Sequence, residues 1–451
     1  MAPLVPVRSA PMIPLDRPGP ATRARAVRLD RNADRRVTAA GLTLSAGFVG
    51  AALVAAVAPV MLGADAPSGW WLPLHLAMAG AAGTAIAAVM PFFSAALVAA
   101  PPAPVAVRVG AVGLIALGAG LVAARAVAPA GPLPAAGGLA YLGGALLLGW
   151  ATLGPLRRAL GPSRPLVAFA YAVAVADVLA GATLATLFVG GWLPVLERWA
   201  VLKPVHAWLN LLGFVALVIG GTLLHLLPTV LGTRIVPRAS GALAVGGLAV
   251  GAPLVALGFL ITGGPGPAAD LLARAGATAS LVGATALSWH AVEVVRARGR
   301  WTTDAGWHRM ATGGLVAATG WFAVAMLIAA GRVLVAGTTP AAWRVEDVLA
   351  PLAVGWALQA LVAAWTHLLP SIGPGGPPEH ARQRTRLGRR ATARLVALNA
   401  GTVLLALGIP TGTGPLIGAG GGLAVLALGT SLGLAAGALG DIRKLPAAAN
   451  R

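Results

Sequence analysis

The sequence predicts an all-α integral membrane protein with about twelve transmembrane helices. Its 451 residues are 58% hydrophobic and only 10% charged, with a mean hydropathy of +0.83, whereas a soluble domain carries roughly a quarter charged residues. Mostly apolar runs of about 20 residues, the length that crosses a bilayer core of about 30 Å, recur along the chain. These observations exclude a soluble globular protein.

The predicted helices are bounded by charged residues, Pro or Gly. Their spans are roughly 39–62, 70–99, 105–128, 135–155, 165–191, 204–229, 239–262, 268–295, 308–337, 347–370, 392–410 and 414–440. Residues 1–38 are rich in Pro and Arg without a long apolar run, so we expect a disordered cytoplasmic tail rather than a signal peptide. The transmembrane domain is predicted at 39–445, followed by a short C-terminal tail at 446–451.

The net charge of +20 is distributed as the positive-inside rule requires. With both termini in the cytoplasm, the cytoplasmic side receives the tail arginines and the basic loops near residues 157–164, 234–238, 296–309 and 382–394. The basic residues therefore indicate topology and contact with the lipid bilayer, not nucleic-acid binding. A chain rich in Ala, Gly and Arg suggests a bacterial source, and hence the bacterial plasma membrane.

The chain contains no cysteine and seven histidines, so any metal is held by His, Met or oxygen. His75 and His206 are predicted at the same outer depth. Nineteen residues separate His206 from His225, or roughly 28 Å along a helix, so these two cannot share one metal.

A short internal repeat relates helices four apart. The segment HLLPTVLG at 225–232 recurs as HLLPSIG at 367–373, and the second helix, with His75, lies four helices before the sixth. Helices two, six and ten are therefore predicted to face a common interior in a pseudo-threefold bundle.

With these features the chain resembles the haem-copper oxidase subunit I-like superfamily, which includes NnrS-like proteins. A closer likeness is to the membrane region fused to bacterial copper nitrite reductase-like and multicopper oxidase proteins. The segments that carry the likeness lie at 74–81, 206–213, 228–235 and 368–373.

The resemblance implies b-type haem and copper as candidate cofactors. In that family the second-helix His binds haem and the sixth-helix His belongs to the copper site. His75 and His206 are therefore either two axial ligands of one haem, or one ligand each for haem and copper. Arg125 and Arg332 approach the same outer face and are candidates to pair with haem propionates; the alternative is ordinary snorkelling towards the interface.

The chain also departs from the oxidase pattern. The seventh helix has no His, the tenth has only His367 at the inner depth, and Tyr141 and Tyr171 are the only tyrosines. We therefore expect electron transfer, or nitric oxide or copper handling, rather than a proton-pumping terminal oxidase. If the protein is an enzyme, it is an oxidoreductase, served by a redox partner protein or a copper oxidase domain protein.

Other ionisable residues extend the set of candidates. A second metal site at the inner depth would use His225, His290, Glu293, His308 and His367; the alternative is that these side chains simply reach interfacial water.

Asp177, in the middle of the fifth helix, is a candidate for either proton relay or structural hydrogen bonding. Two other functions stay open at this point. One is a secondary transporter that uses intramembrane His and Asp, and the other is a cofactor-free membrane assembly partner.

Overall fold

The computed structural model describes residues 20–63, 66, 68–126, 132–157, 165–262, 267–372 and 376–443. Nearly all of them are helical, and none forms a strand. Among these residues, twelve helices are long and apolar enough to cross a membrane, which confirms the predicted fold class. The spans, labelled α1 to α12, are Arg35–Leu62, Trp71–Leu97, Val105–Ala126, Pro132–Leu156, Leu166–Val189, Trp199–Leu231, Ala239–Ile261, Pro267–Arg298, Gly306–Ala336, Pro340–Ile372, Ala391–Thr411 and Gly414–Ala438.

The first helix starts well before its membrane span. It runs Pro20–Ala55 and continues as Val57–Leu62, so it overlaps the second half of the predicted tail. The division into a tail, a transmembrane domain at 39–445 and a C-terminal tail stays a prediction. Residues 1–19 and 444–451 lie outside the described residues.

Three helices form the centre of the bundle. In the most apolar window of α2, α6 and α10, 78%, 78% and 83% of the residues are buried, against 22% to 56% in the other nine spans. A helix that buries nearly its whole circumference lies inside a bundle rather than against lipid. The four-helix period predicted from the sequence is thus visible as three central helices.

Each central helix contains a stretch of π-helix, a wide turn that is rare elsewhere. The stretches are Leu76–Ala82, Trp208–Val215 and Ala350–Leu358. The first begins directly after His75, and the second begins two residues after His206. Short π-helical turns occur frequently at functional sites, so their position marks this end of the bundle, where α2, α6 and α10 begin.

A glycine in each π-helical stretch admits one side chain from the preceding span. Gly80 lies against Phe48 of α1, and Gly355 against Trp321 of α9. At the remaining position, Gly213 lies against the carboxyl group of Asp177 in α5. A Cβ atom at any of the three would overlap its neighbour. We call these three contacts the α1–α2, α5–α6 and α9–α10 seams.

The α7–α8 pair shows how closely two backbones approach when small residues line the contact. A Cβ atom on Gly247 would lie 2.7 Å from the backbone nitrogen of Gly283, and one on Gly251 would lie 2.8 Å from the carbonyl oxygen of Gly276. In lipid, helices associate by van der Waals packing at such small residues. The glycines here therefore serve packing.

Adjacent glycines make this contact testable. We expect Gly247→Ala to destabilise the protein by about 1–3 kcal/mol, because the added methyl group overpacks the α7–α8 contact. Gly246→Ala is the matched control, since nothing lies within 4 Å of its Cβ position. Thermal unfolding of the detergent-purified variants measures both, and equal melting temperatures would contradict the assignment.

Candidate functional site

Two imidazole rings face each other at the end of the bundle where the central helices begin. His75 is in the second turn of α2, and His206 is in the third turn of α6. Their ring centroids are 6.3 Å apart and their planes are within 7° of parallel. The structure thus brings together the two histidines that the sequence placed at one depth.

Backbone carbonyl groups fix how the two rings are protonated. His75 Nδ1 lies 2.8 Å from the carbonyl oxygen of Trp71, and His206 Nδ1 lies 3.0 Å from that of Gly181. A carbonyl oxygen only accepts, so these contacts call for a hydrogen on each Nδ1, which leaves the lone pair of a neutral ring on Nε2. The Asn210 amide nitrogen also lies 3.1 Å from His206 Nδ1, but it donates to the His206 carbonyl oxygen. This is the arrangement in which a metal-binding His is oriented by a second hydrogen bond.

Both rings line a cavity of about 360 Å³. Its walls come from α2 to α6 and from the beginning of α10, and most of its lining is apolar. Aromatic rings lie beside both histidines: Trp71 lies 4.3 Å from the His75 ring, Trp199 lies 5.9 Å from the His206 ring, and Phe188 stacks on Trp199 at 3.9 Å. The volume falls within the range typical of small-molecule and cofactor sites.

Two cations line the same cavity. The Arg125 guanidinium lies 4.7 Å above the Phe188 ring, and Lys203 contributes to the wall near His206. Arg332, predicted together with Arg125, is not among the lining residues. Its guanidinium is paired with the Asp347 carboxylate and donates to the Ala341 carbonyl oxygen at 3.0 Å. The structure therefore separates the two arginines.

Sequence reasoning did not assign several lining residues to the site. Lys203 precedes His206 by three residues, a helical spacing that places both on one face, so it was detectable. Tyr141 of α4 also lines the cavity, but nothing in its own helix indicates this. Asn210 donates to the backbone oxygen of His206 at 2.8 Å and follows it by one turn.

The comparisons with known proteins address the fold. No protein-family model matches the chain, and no curated protein matches it. A solved structure described as a heme-copper terminal oxidase dimer aligns with 93% of this chain and 84% of its own, with a TM-score of 0.60 and 13% identity. The fold resembles that of a haem-copper terminal oxidase. At this identity the likeness concerns architecture, which agrees with the twelve spans and three central helices.

The five residues predicted as an inner metal site do not form one centre. Within the described part of the chain, no three His, Cys, Asp or Glu side chains are grouped so that they could hold a metal ion. His290 is buried, with Nδ1 3.3 Å from the Ser240 hydroxyl, which donates to Glu293 at 2.5 Å. These three side chains all belong to α7 and α8.

His308 belongs to a separate contact that holds the end of α6. Its Nδ1 is bonded to the Asp304 carboxylate, and its Nε2 lies 2.5 Å from the carbonyl oxygen of Val230. Arg298 pairs with Asp304 at 2.9 Å and donates to the Leu231 carbonyl oxygen at 2.8 Å. With both ring nitrogens hydrogen-bonded, His308 is occupied in closing the last turn of α6, whose carbonyl groups need such partners.

The two repeat-related histidines lie near the ends of α6 and α10. His367 is 6.5 Å from the Trp307 ring, which in turn lies beneath the Arg384 guanidinium at 5.0 Å. His225 offers its backbone oxygen to the Thr229 hydroxyl at 2.7 Å. The repeat therefore lies at helix ends, and each of its histidines has its own local contacts.

Asp177 lies in the α5–α6 seam, and only 4% of it is exposed. Among the described residues, its Oδ2 atom has no hydrogen-bond partner. Further along the same two helices, the Tyr171 hydroxyl lies 2.9 Å from that of Thr222. Polar side chains therefore lie between α5 and α6 at two levels, at Asp177 and at the Tyr171–Thr222 pair.

The contact at the end of α6 predicts a pH dependence of stability. Burial alone would raise the pKa of Asp304, but hydrogen bonds and charges from His308 and Arg298 outweigh it and hold that pKa below its usual value. The stabilisation is present above the pKa of an unfolded Asp, about 3.9, and is lost as pH falls through the lower folded-state pKa.

We therefore expect Asp304→Asn to lower the melting temperature by about 1–3 °C at neutral pH. The gap between variant and wild type should begin to shrink near about pH 3.9 and go on shrinking as pH falls towards the lower folded-state pKa. Melting curves from pH 3 to 7 measure this, and a gap that widens on acidification would contradict it. Glu346→Asn is the control for loss of an acidic side chain elsewhere.

Proposed function

We propose that this protein is a haem-binding redox protein of the bacterial plasma membrane, with both termini in the cytoplasm, in which His75 and His206 hold one b-type haem. The observation that carries the proposal is the pair of parallel imidazoles across a cavity, each with Nδ1 bonded to a carbonyl group. Its role is electron transfer or the handling of nitric oxide or copper, as in NnrS-like proteins or the membrane region fused to copper oxidase domains.

The distance between the rings fits a shared metal. Two imidazoles that bind one metal at about 2.0–2.1 Å per bond have ring centroids roughly 6 Å apart, and the observed value is 6.3 Å. The carbonyl groups of Trp71 and Gly181 orient the rings and leave Nε2 as the donor on each.

The number of ligands favours haem over an isolated copper ion. One or two protein side chains are enough to hold a haem iron, and His is common among them; the described residues would supply two imidazoles here. Copper needs further protein ligands. Met78, one turn after His75 and also in the cavity wall, is the residue that would complete a copper site, and metal analysis distinguishes the two.

The charged and apolar residues of the cavity wall also suit haem. Haem carries two carboxylates, and Arg125 and Lys203 are the cations in the wall. Trp71, Phe188 and Trp199 give flat apolar surfaces and exclude water from the rings. Bound haem supplies reversible one-electron chemistry, and the residues of this chain hold and shield it.

Among the described residues, no third histidine lies at this end of the central helices, which argues against oxygen reduction. His75 lies five residues before Gly80, and His206 lies seven residues before Gly213. The positions five and seven residues before Gly355 in α10 are Ala350 and Val348. Neither binds a metal. We therefore propose an electron-transfer or gas-handling role, with a redox partner protein in contact with the end of the bundle near the cavity.

A secondary transporter is the second candidate function, favoured by the buried Asp177 in the α5–α6 seam. Substrate-coupled proton flux in proteoliposomes that depends on Asp177 but tolerates His75→Ala would support it over the haem proposal.

The ligand assignment predicts loss of haem from either histidine variant. We expect purified wild-type protein expressed with haem supplementation to show Soret and alpha bands at about one haem per chain, and His75→Ala and His206→Ala to lose most of both. His225→Ala, in the same helix as His206, is the matched control. Haem extraction and metal analysis accompany the spectra, and a fully loaded His75→Ala,His206→Ala double variant would refute the assignment.

We expect substitutions of Arg125 and Arg332 to have different effects on haem affinity. Arg125→Gln should weaken haem binding about ten- to hundredfold, the effect of losing one hydrogen bond between charged groups. Arg332→Gln should leave haem affinity unchanged and lower the melting temperature, because it loses the pair with Asp347. Haem titration of apoprotein with parallel melting curves tests both, and the reverse pattern would place the carboxylates at Arg332.

A further inference from the structure

We infer that Asp177 is the proton acceptor linked to reduction of the His75–His206 site. This inference rests on the proposed function. When a one-electron reductant is oxidised and the site takes up its electron, the Asp177 carboxylate takes a proton from a hydronium ion of the bulk solvent, whose O–H bond breaks to leave water. One O–H bond forms, the added negative charge is compensated, and both changes reverse on oxidation.

The position of Asp177 connects it to one of the two imidazoles. It contacts Gly213, seven residues after His206 in α6, or about 10 Å along the helix. On its own helix, Gly181 lies one turn away and accepts the hydrogen of His206 Nδ1. The same strip of α5 therefore orients His206 and holds the Asp177 carboxyl group one turn away.

The pseudo-threefold repeat shows that packing does not require an acid there. The equivalent positions in the other two seams hold Phe48 and Trp321, each against the corresponding glycine. Two of the three equivalent positions thus hold an aromatic ring, and the third holds a carboxyl group. The acid lies in the seam next to the predicted ligand His206.

The surroundings of Asp177 leave few other groups to titrate. The elements packed against α5 are α4, α6, α7 and the short helix Leu193–Glu197, whose Glu197 is exposed at the far end of α5; the described range of α7 has no titratable residue. The titratable residues of the other spans and of α5 itself are Tyr141, Tyr171, Lys203, His206 and His225. None of them is a carboxylic acid, and Oδ2 has no partner among the described residues.

Electrostatics sets the size of the effect. A unit charge about 10 Å away, at an effective dielectric constant of about 20, changes a protonation equilibrium roughly 10- to 20-fold. A negative charge added at the site favours protonated Asp177. The electron is therefore accepted more readily at low pH, and the midpoint potential falls as pH rises.

The test is a spectroelectrochemical titration of the haem-loaded full chain between pH 5 and 9. We expect the wild-type midpoint potential to fall from an acid plateau to an alkaline plateau. The fall is about 59 mV for each tenfold change in the protonation equilibrium of Asp177 on reduction. Asp177→Asn should abolish this step, while Asp177→Glu retains it. Asp270→Asn is the control, because Asp270 is a carboxylate bonded to Thr338 in another part of the bundle.

A second measurement covers the case in which Asp177→Asn does not fold. In the redox infrared difference spectrum of wild-type protein, reduction should raise a protonated carboxyl band that shifts in Asp177→Glu. A wild-type potential independent of pH, or a step that persists in Asp177→Asn, overturns the inference and leaves haem binding intact. Absence of any haem spectrum overturns the proposed function, and the inference with it.

Discussion

Hydrocarbon offers no hydrogen-bond partner to the peptide backbone, and the all-helical architecture of this protein follows from that constraint. All twelve spans are helices because a helix satisfies its own backbone groups. The central helices keep this internal bonding through their π-helical stretches while changing the width of the turn. The change takes place where α2 and α6 carry His75 and His206, so the helix adjusts its shape near the site without exposing backbone groups to lipid.

The candidate site is shared between repeats. α2 contributes one imidazole, α6 contributes the other, and the third central helix contributes only apolar wall. His206 is held from outside its own helix, by the carbonyl group of Gly181 in α5, whereas His75 is held by Trp71 within α2. The second imidazole is therefore positioned by the α5–α6 seam, and its orientation depends on how closely that seam packs.

Sequence reasoning predicted what depends on distance along a helix. The spans follow from apolar run lengths, and the shared depth of His75 and His206 follows from their distances to the helix ends. Lys203 was also within reach, since it is three residues from His206. Sequence reasoning did not predict features that depend on the rotation and tilt of the helices. Arg332 contacts Asp347 rather than the cavity, and His308 contacts the end of α6. The contact of Asp177 with Gly213 joins residues on two helices, and the wide turns have no marker in amino-acid propensity.

The three seams differ in chemistry but are equivalent in architecture. Each glycine packs against one side chain from the neighbouring span. These side chains end in a phenyl ring, a carboxyl group and an indole. A bundle of this kind can change the residue at one seam while the other two maintain the packing. This gives natural selection a place to vary the polarity beside a buried site with little loss of foldability, and it separates the evolution of chemistry from the evolution of architecture.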